Sequence, residues 1–183
     1  MNKKKIDVYS LIKREVEKLK KTGNKTASLD CRLLLSQILK KTNTVYTHQE
    51  VYISQNQIIK FQTLVKKREE GQPVSRILNR RNFWKREFII DKETLDPRPD
   101  SEILIETILE HFPGSTPLLK ILDLGSGSGC LAISIALERP NFKIFAADIS
   151  HDALKIAEIN SCLLYTSDAA DDLLCVDLGG RRI

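Results

Sequence analysis

Long apolar runs are missing from this sequence of 183 residues. No stretch approaches the roughly 18 uninterrupted apolar residues that a membrane-spanning helix needs. Lys3-Lys4-Lys5 is followed by a mixed segment, residues 6–10, instead of the apolar core of a secretory signal. Six prolines and eight glycines are too few for a low-complexity disordered chain. We therefore expect a globular, cytoplasmic protein that does not contact membranes.

Cysteine and histidine are scarce and unclustered. The four cysteines, Cys31, Cys130, Cys162 and Cys175, form no CxxC pair, and the three histidines lie far from any such pair. Both a disulfide framework and a zinc site need such groupings. The sequence therefore predicts no bound metal and no disulfide scaffold.

Positive charge is concentrated at the front of the chain. Residues 1–72 hold 16 Lys and Arg against 7 Asp and Glu, a net charge of +9, whereas residues 73–161 hold 11 against 13, a net charge of −2. A basic module can bind RNA, the ribosome or an acidic protein. A solvated helical surface explains the same charge equally well.

The first 78 residues have the periodicity of helices, and the next twenty do not. Apolar residues spaced three or four apart predict helices over residues 7–21, 28–41 and 54–70, with Ser54 as an N-cap. These helices would form a small bundle. From Asn82 the chain turns to aromatic and β-branched residues, which predict a short hairpin carrying Phe83-Trp84. That hairpin marks the expected domain boundary.

Element types then alternate regularly. Pro97-Arg98-Pro99 predicts an extended link, and Asp100 is predicted to cap a helix that ends at Phe112. The chain continues with a strand over residues 118–124, a helix over 128–139, a second strand over 142–148 and a helix capped by Ser150. This order is the opening of a doubly wound parallel sheet, so the predicted class is α/β.

The candidate site lies where the first of these strands meets its helix. Asp123 precedes a loop formed by Gly125, Ser126, Gly127, Ser128 and Gly129, and Asp148 ends the second strand 19 residues later. Glycines let a ligand approach the backbone, and a terminal acid can bind the ribose hydroxyls of an adenosine cofactor. Cys130 stands where the dinucleotide fingerprint needs glycine. An acid at the mouth of the loop favours the cationic S-adenosylmethionine over a pyrophosphate.

These motifs resemble the bacterial release factor glutamine methyltransferases. The resemblance covers residues 8–161 and is carried by the helical front, the Phe83-Trp84 hairpin, the element Pro97-Arg98-Pro99-Asp100-Ser101-Glu102 and the glycine loop. It implies a Rossmann-like class I methyltransferase fold, with S-adenosylmethionine bound by residues 125–129 and Asp148. It further implies a site lined by Arg98, Pro99, Asp100 and Glu102, although a rigid connector explains that segment equally well.

The resemblance also implies an activity and a partner. Such an enzyme methylates the side-chain amide nitrogen of the glutamine in a Gly-Gly-Gln motif of peptide chain release factors. We expect a monomer that docks release factors through residues 1–78 and does not bind nucleic acid directly. Residues 79–98 would form the hairpin and linker, and residues 99–161 a partial cofactor-binding domain.

The family's catalytic motif, Asn-Pro-Pro-Tyr, does not occur in this sequence. No catalytic residue is therefore assigned, and we expect the chain as written to be inactive. Residues 162–183 contain no lysine and resemble a translated sequencing adapter, so we interpret them as a non-native tail that ends the preceding helix and adds no third strand. Two alternatives stay open: a related methyltransferase acting on a ribosomal protein or nucleic acid, and a non-catalytic binding fragment.

Overall fold

The computed structural model describes residues 3–41, 43–115, 117–168 and 177–178. The chain forms two compact units that divide between Leu78 and Asn79. None of the helices described is both long enough and apolar enough to cross a membrane.

The first unit consists of four helices and a two-stranded ribbon. Its elements in chain order are β1 (Lys4–Asp7), α1 (Val8–Lys21), α2 (Ala27–Ile38), β2 (Glu50–Ile53), α3 (Gln55–Glu69) and α4 (Val74–Leu78). Side chains from α1, α2, α3 and β2 form one buried core, which includes Ile12, Leu19, Leu34, Leu35, Ile53 and Phe61. Three of the helices are those expected from the periodicity.

The caps explain where these helices begin and end. Ser54 and Gln57 form a reciprocal capping box at the start of α3, which confirms Ser54 as the N-cap. Helix α2 ends at Ile38 and not at Lys41 as expected, because Lys40 adopts a left-handed conformation with φ 52°. The Lys41 N–H then donates to the Ser36 carbonyl, which closes the helix.

The sequence did not predict the ribbon or α4. Strand β1 pairs antiparallel with β2, and Lys4 lies opposite Ile53. Each strand has four residues, too short a run for a period of two to stand out from the helical pattern around it. The expected three-helix bundle is therefore a four-helix unit with a small sheet.

The second unit contains a hairpin and a parallel sheet with helices. Its elements are β3 (Arg80–Phe83), β4 (Arg86–Ile89), a 3₁₀ turn (Pro99–Ser101), α5 (Glu102–His111), β5 (Lys120–Leu124), α6 (Cys130–Glu138), β6 (Lys143–Ala147), α7 (His151–Asp168) and β7 (Asp177–Leu178). Strands β3 and β4 pair antiparallel. The sheet order is β5-β6-β7, and both of its pairings are parallel. The predicted α/β class, a helical front followed by the start of a doubly wound sheet, is confirmed.

Asp100 does not cap α5 as predicted. It lies inside the 3₁₀ turn, and Ser101 stands at the N-cap without a side-chain bond. The turn runs directly into the helix, so backbone carbonyls accept the first amides: Ser101 N–H donates to Arg98, and Glu102 N–H donates to Pro99. No side-chain cap is needed there.

Two structural expectations for residues 162–183 are wrong, while their interpretation as a non-native tail stays a prediction. Helix α7 does not end at Cys162 but continues to Asp168, because residues 162–168 contain neither glycine nor proline to stop it. Asp177 and Leu178 form a short third strand beside Phe145 and Ala146 of β6. The rest of the supposed tail, residues 169–176 and 179–183, lies outside the described residues.

Candidate cofactor-binding site

The glycine loop joins β5 to α6 through three left-handed residues. Gly125, Gly127 and Gly129 have φ angles of 78°, 54° and 76°. Side chains larger than hydrogen strain the backbone in this region. The loop therefore depends on glycine for its path.

The three glycines differ in what surrounds them. A Cβ at Gly129 would lie 2.9 Å from Ile133 Cδ1 and 3.1 Å from Ala157 Cβ, so α6 and α7 pack directly against this residue. A Cβ at Gly125 or Gly127 would meet no heavy atom within 4 Å. The loop is thus packed on its inner side and open at the two positions where a ligand could approach.

Asp148 connects the loop to the end of β6. Its Oδ2 accepts a hydrogen bond of 2.8 Å from Gly127 N–H, and its Oδ1 accepts one of 2.9 Å from Ser150 N–H. A carboxylate oxygen has two lone pairs, so each oxygen keeps capacity for a second donor. The predicted loop and the predicted acid are therefore brought together.

Asp123 and Ser126 hold polar atoms that lack partners. In the part of the chain that the structure describes, Asp123 Oδ2 and Ser126 Oγ are buried and have no hydrogen bond. Burial raises the pKa of Asp123, the Ala132 N–H partly opposes this, and the Asp148 carboxylate adds to the rise. A cationic or donor group placed here would satisfy Asp123. The site thus fits the ammonium group of an amino acid cofactor such as S-adenosylmethionine.

Cys130 opens α6 beside this loop but is not suited to act as a nucleophile. Burial is the largest influence on its thiol and raises its pKa to about 11. The thiol is therefore protonated at neutral pH. The thiolate is the nucleophilic form of cysteine, so the protonated Cys130 is a poor nucleophile.

The predicted lining segment divides into an exposed part and an engaged part. Arg98, Pro99 and Asp100 are exposed. Glu102 instead accepts a hydrogen bond of 2.9 Å from the backbone N–H of Trp84, in the turn of the hairpin. Within the described residues, Glu102 thus fastens the hairpin turn to the start of α5.

The hairpin turn is strained and held by a second carboxylate that the sequence analysis missed. Trp84 and Lys85 have φ angles of 44° and 64°, values that favour glycine or asparagine. The Trp84 indole N–H donates to Glu138 Oε1 at 2.9 Å, and Lys85 Nζ lies 3.5 Å from the same oxygen. Burial pushes the pKa of Glu138 upward, but Trp84, Lys85 and Arg86 together hold it below its ordinary value.

Asn160 is the second residue that the sequence analysis missed. It is 1% exposed and lies on α7, where it contacts both the hairpin and the glycine loop. It follows Ala153 and Ala157, both buried, at helical spacing. An asparagine on the apolar stripe of a predicted helix was the signal available, since buried polar groups are kept where they have partners.

Strand, glycine loop, helix and terminal acid in this arrangement are typical of nucleotide-binding units of the α/β class. Residues 89–167 match the family model described as the methyltransferase small domain, and residues 10–78 match the PrmC N-terminal domain. The second unit thus matches a methyltransferase domain over most of its length.

Curated relatives narrow the family further. The chain is 41% identical over 141 residues to the release factor glutamine methyltransferase of Coxiella burnetii, covering 76% of this chain and 50% of that protein. It is 40% identical over 139 residues to the protein of the same name from Shewanella oneidensis, covering 75% and 48%. A bifunctional methyltransferase of Rickettsia felis is 30% identical over 188 residues, covering 88% and 36%. The chain belongs to the family of the release factor glutamine methyltransferases, and it spans about half the length of the first two of these relatives.

Proposed function

We propose that the full-length protein methylates the side-chain amide nitrogen of a glutamine, in the Gly-Gly-Gln motif of peptide chain release factors, with S-adenosylmethionine as the methyl donor. The observation that carries the proposal is the buried, unpaired Asp123 Oδ2 at the mouth of an open glycine loop. It occurs in a chain whose front matches the PrmC N-terminal domain.

Each residue of the site has a role in this proposal. When bound, S-adenosylmethionine supplies a methyl group that is electrophilic because it is attached to a positively charged sulfur. Asp123 would attract the ammonium group, and Asp148 would accept hydrogen bonds from the ribose hydroxyls through its remaining lone pairs. Gly125 and Gly127 leave room for the cofactor, and the hydroxyls of Ser126 and Ser128 would complete the polar lining.

The acceptor nitrogen needs positioning more than activation. The lone pair of an amide nitrogen is delocalised into its carbonyl, so the nitrogen is a poor nucleophile. Holding it in line with the methyl group can therefore provide much of the rate enhancement. The Asn-Pro-Pro-Tyr motif that would hold it is not in this sequence. We accordingly propose that the 183-residue chain by itself does not catalyse methyl transfer.

The segment from Arg98 to Glu102 is proposed to line the substrate side of the site. Its exposed Arg98 and Asp100 can contact a polypeptide, whereas Glu102 binds the hairpin turn. This division suits a segment that connects the hairpin to α5 and also contacts the substrate.

The helical unit is proposed to dock the release factor, with the enzyme acting as a monomer. Residues 1–72 carry a net charge of +9. Helices α1 and α3 also border a groove lined by Arg14, Lys18 and Lys66 together with Glu15 and Glu69. An acidic face on the partner would be attracted by the net positive charge of the unit, and such attraction accelerates association at low ionic strength.

Calorimetry with S-adenosylmethionine tests the cofactor site in the full-length protein. Losing charge-assisted hydrogen bonds, each worth about 1.5–3 kcal/mol, should weaken binding by tenfold or more in Asp148→Ala. Asp148→Asn keeps an acceptor for the backbone and separates charge loss from loop disruption. Asp152→Ala is the matched control, because Asp152 is an exposed acid paired only with Lys155 among the described residues. Unchanged affinity in Asp148→Ala would contradict the assignment.

Methyl transfer to a purified release factor tests the reaction and the partner. We expect the full-length protein to add one methyl group to the release factor and none to a variant whose Gly-Gly-Gln glutamine is alanine. The rate should fall as salt is raised if the basic unit assists docking. Incorporation into ribosomal protein or RNA instead would support the alternative methyltransferase reading.

A further inference from the structure

Asn160 holds three backbone groups with one side chain. Its Oδ1 accepts a hydrogen bond of 2.7 Å from Ile89 N–H, and its Nδ2 donates to the Ile89 carbonyl at 2.9 Å. The same Nδ2 donates to the Ser128 carbonyl, also at 2.9 Å. Both amide hydrogens are thus used, and the side chain is buried.

The two bonds to Ile89 imitate a neighbouring strand. Ile89 is the last residue of β4 and lies opposite Arg80 in the hairpin. The N–H and carbonyl of one strand residue point to the same side, and an adjacent strand normally pairs with both. Here the primary amide of Asn160 takes that place, so the open edge of β4 is fixed to α7.

The third bond reaches the glycine loop. Ser128 precedes Gly129, the residue against which Ala157 of α7 packs. Together, the Ala157 contact and the Asn160 hydrogen bond fix the inner side of the loop from one helix. The outer side, at Gly125 and Gly127, is where the cofactor is proposed to lie.

We propose that Asn160 is a positioning residue for the cofactor: it sets the conformation of the glycine loop and makes that conformation depend on a docked hairpin. This inference rests on the proposed function. An apolar side chain of similar size would fill the space but leave three backbone groups without partners, one of them buried and two partly buried. Packing alone therefore does not account for an amide at this position.

The test compares Asn160→Ala and Asn160→Gln with the wild-type full-length protein. Asn160→Gln keeps the amide but displaces it by one methylene, so it covers the case in which the alanine variant does not fold. Ile105→Val is the matched control, since Ile105 is fully buried in the core of the second unit and lies on α5, outside the glycine loop. For each protein we measure the melting temperature, the Kd for S-adenosylmethionine, and amide exchange at residues 127–129.

We expect both Asn160 variants to raise the Kd about tenfold or more and to accelerate exchange at residues 127–129. Ile105→Val should lower the melting temperature and leave the Kd unchanged. Asn160 variants that behave like Ile105→Val would overturn the proposal and leave Asn160 a structural residue. If the wild type does not bind S-adenosylmethionine, the proposed function fails, and the exchange data still decide whether Asn160 positions the loop.

Discussion

The two units of this chain differ in how completely they cover their apolar faces. In the helical unit, Leu34 and Phe61 are fully buried in a core shared by α1, α2, α3 and β2. In the second unit, Leu122 of β5 is 58% exposed and Leu124 is 75% exposed. One unit is closed around its core, and the other has an open side.

Sheet topology explains the difference. Among the described residues, β5 pairs with β6 alone, so its other edge has no partner. Parallel sheets in doubly wound folds bury their central strands between neighbours and under helices on both faces. The candidate site residues lie in the unit where that burial is less complete.

Hydrogen exchange on the 183-residue chain is the strongest test of this difference between the two units. Exposed strands open at lower free energy than core helices, and local opening can range from near zero to the global unfolding free energy. We therefore expect amides at residues 121–124 to exchange about a hundredfold or more faster than those at residues 34–38. Comparable protection in both segments would show that the half sheet is as stable as the helical unit.

A pair of glycine substitutions compares the packing of the two units directly. Gly129→Ala forces a side chain into a left-handed position and against Ile133 and Ala157, so we expect a loss of about 2–4 kcal/mol. Gly71→Ala in the helical unit meets no atom within 4 Å, and its φ of 91° leaves backbone strain as the main cost, about 1–2 kcal/mol. Denaturant unfolding of both variants measures the difference. Equal losses would mean that the α6 and α7 contact at Gly129 relaxes freely.

The sequence predicted the elements that carry strong local signals. Ser54 is a cap with its partner three residues later, and the loop at residues 125–129 has glycines where left-handed backbone is required. Both signals depend on residues close together in the chain. Asp148 was also predictable, because a parallel strand ends at the same sheet edge as the one before it.

What the sequence could not show depends on distant partners. Asn160 meets Ile89 across 71 positions and Ser128 across 32, and Trp84 meets Glu138 across 54. The position of Asn160 on an apolar stripe indicates that it is buried, but nothing near these residues in the chain identifies their partners. Asp100 was assigned as a cap from its residue type, but the backbone of the 3₁₀ turn already satisfies the helix start.

A pH titration of Trp84 fluorescence tests whether the ionised Glu138 holds the hairpin turn of the second unit in place. Trp84 is the sequence's single tryptophan, so its emission reports on the turn alone. The pKa of Glu138 is held below its ordinary value of 4.5, against the effect of burial, by Trp84, Lys85 and Arg86. The stabilisation is therefore fully present above pH 4.5 and is lost as the pH falls through the lowered pKa. We expect constant emission from neutral pH to below 4.5, and then a step as Glu138 is protonated and the turn loosens.

Glu138→Gln keeps an acceptor for the indole but cannot titrate, so its step should vanish while circular dichroism shows that the fold persists. A step above pH 4.5, or the same step in Glu138→Gln, would mean that another group controls the hairpin.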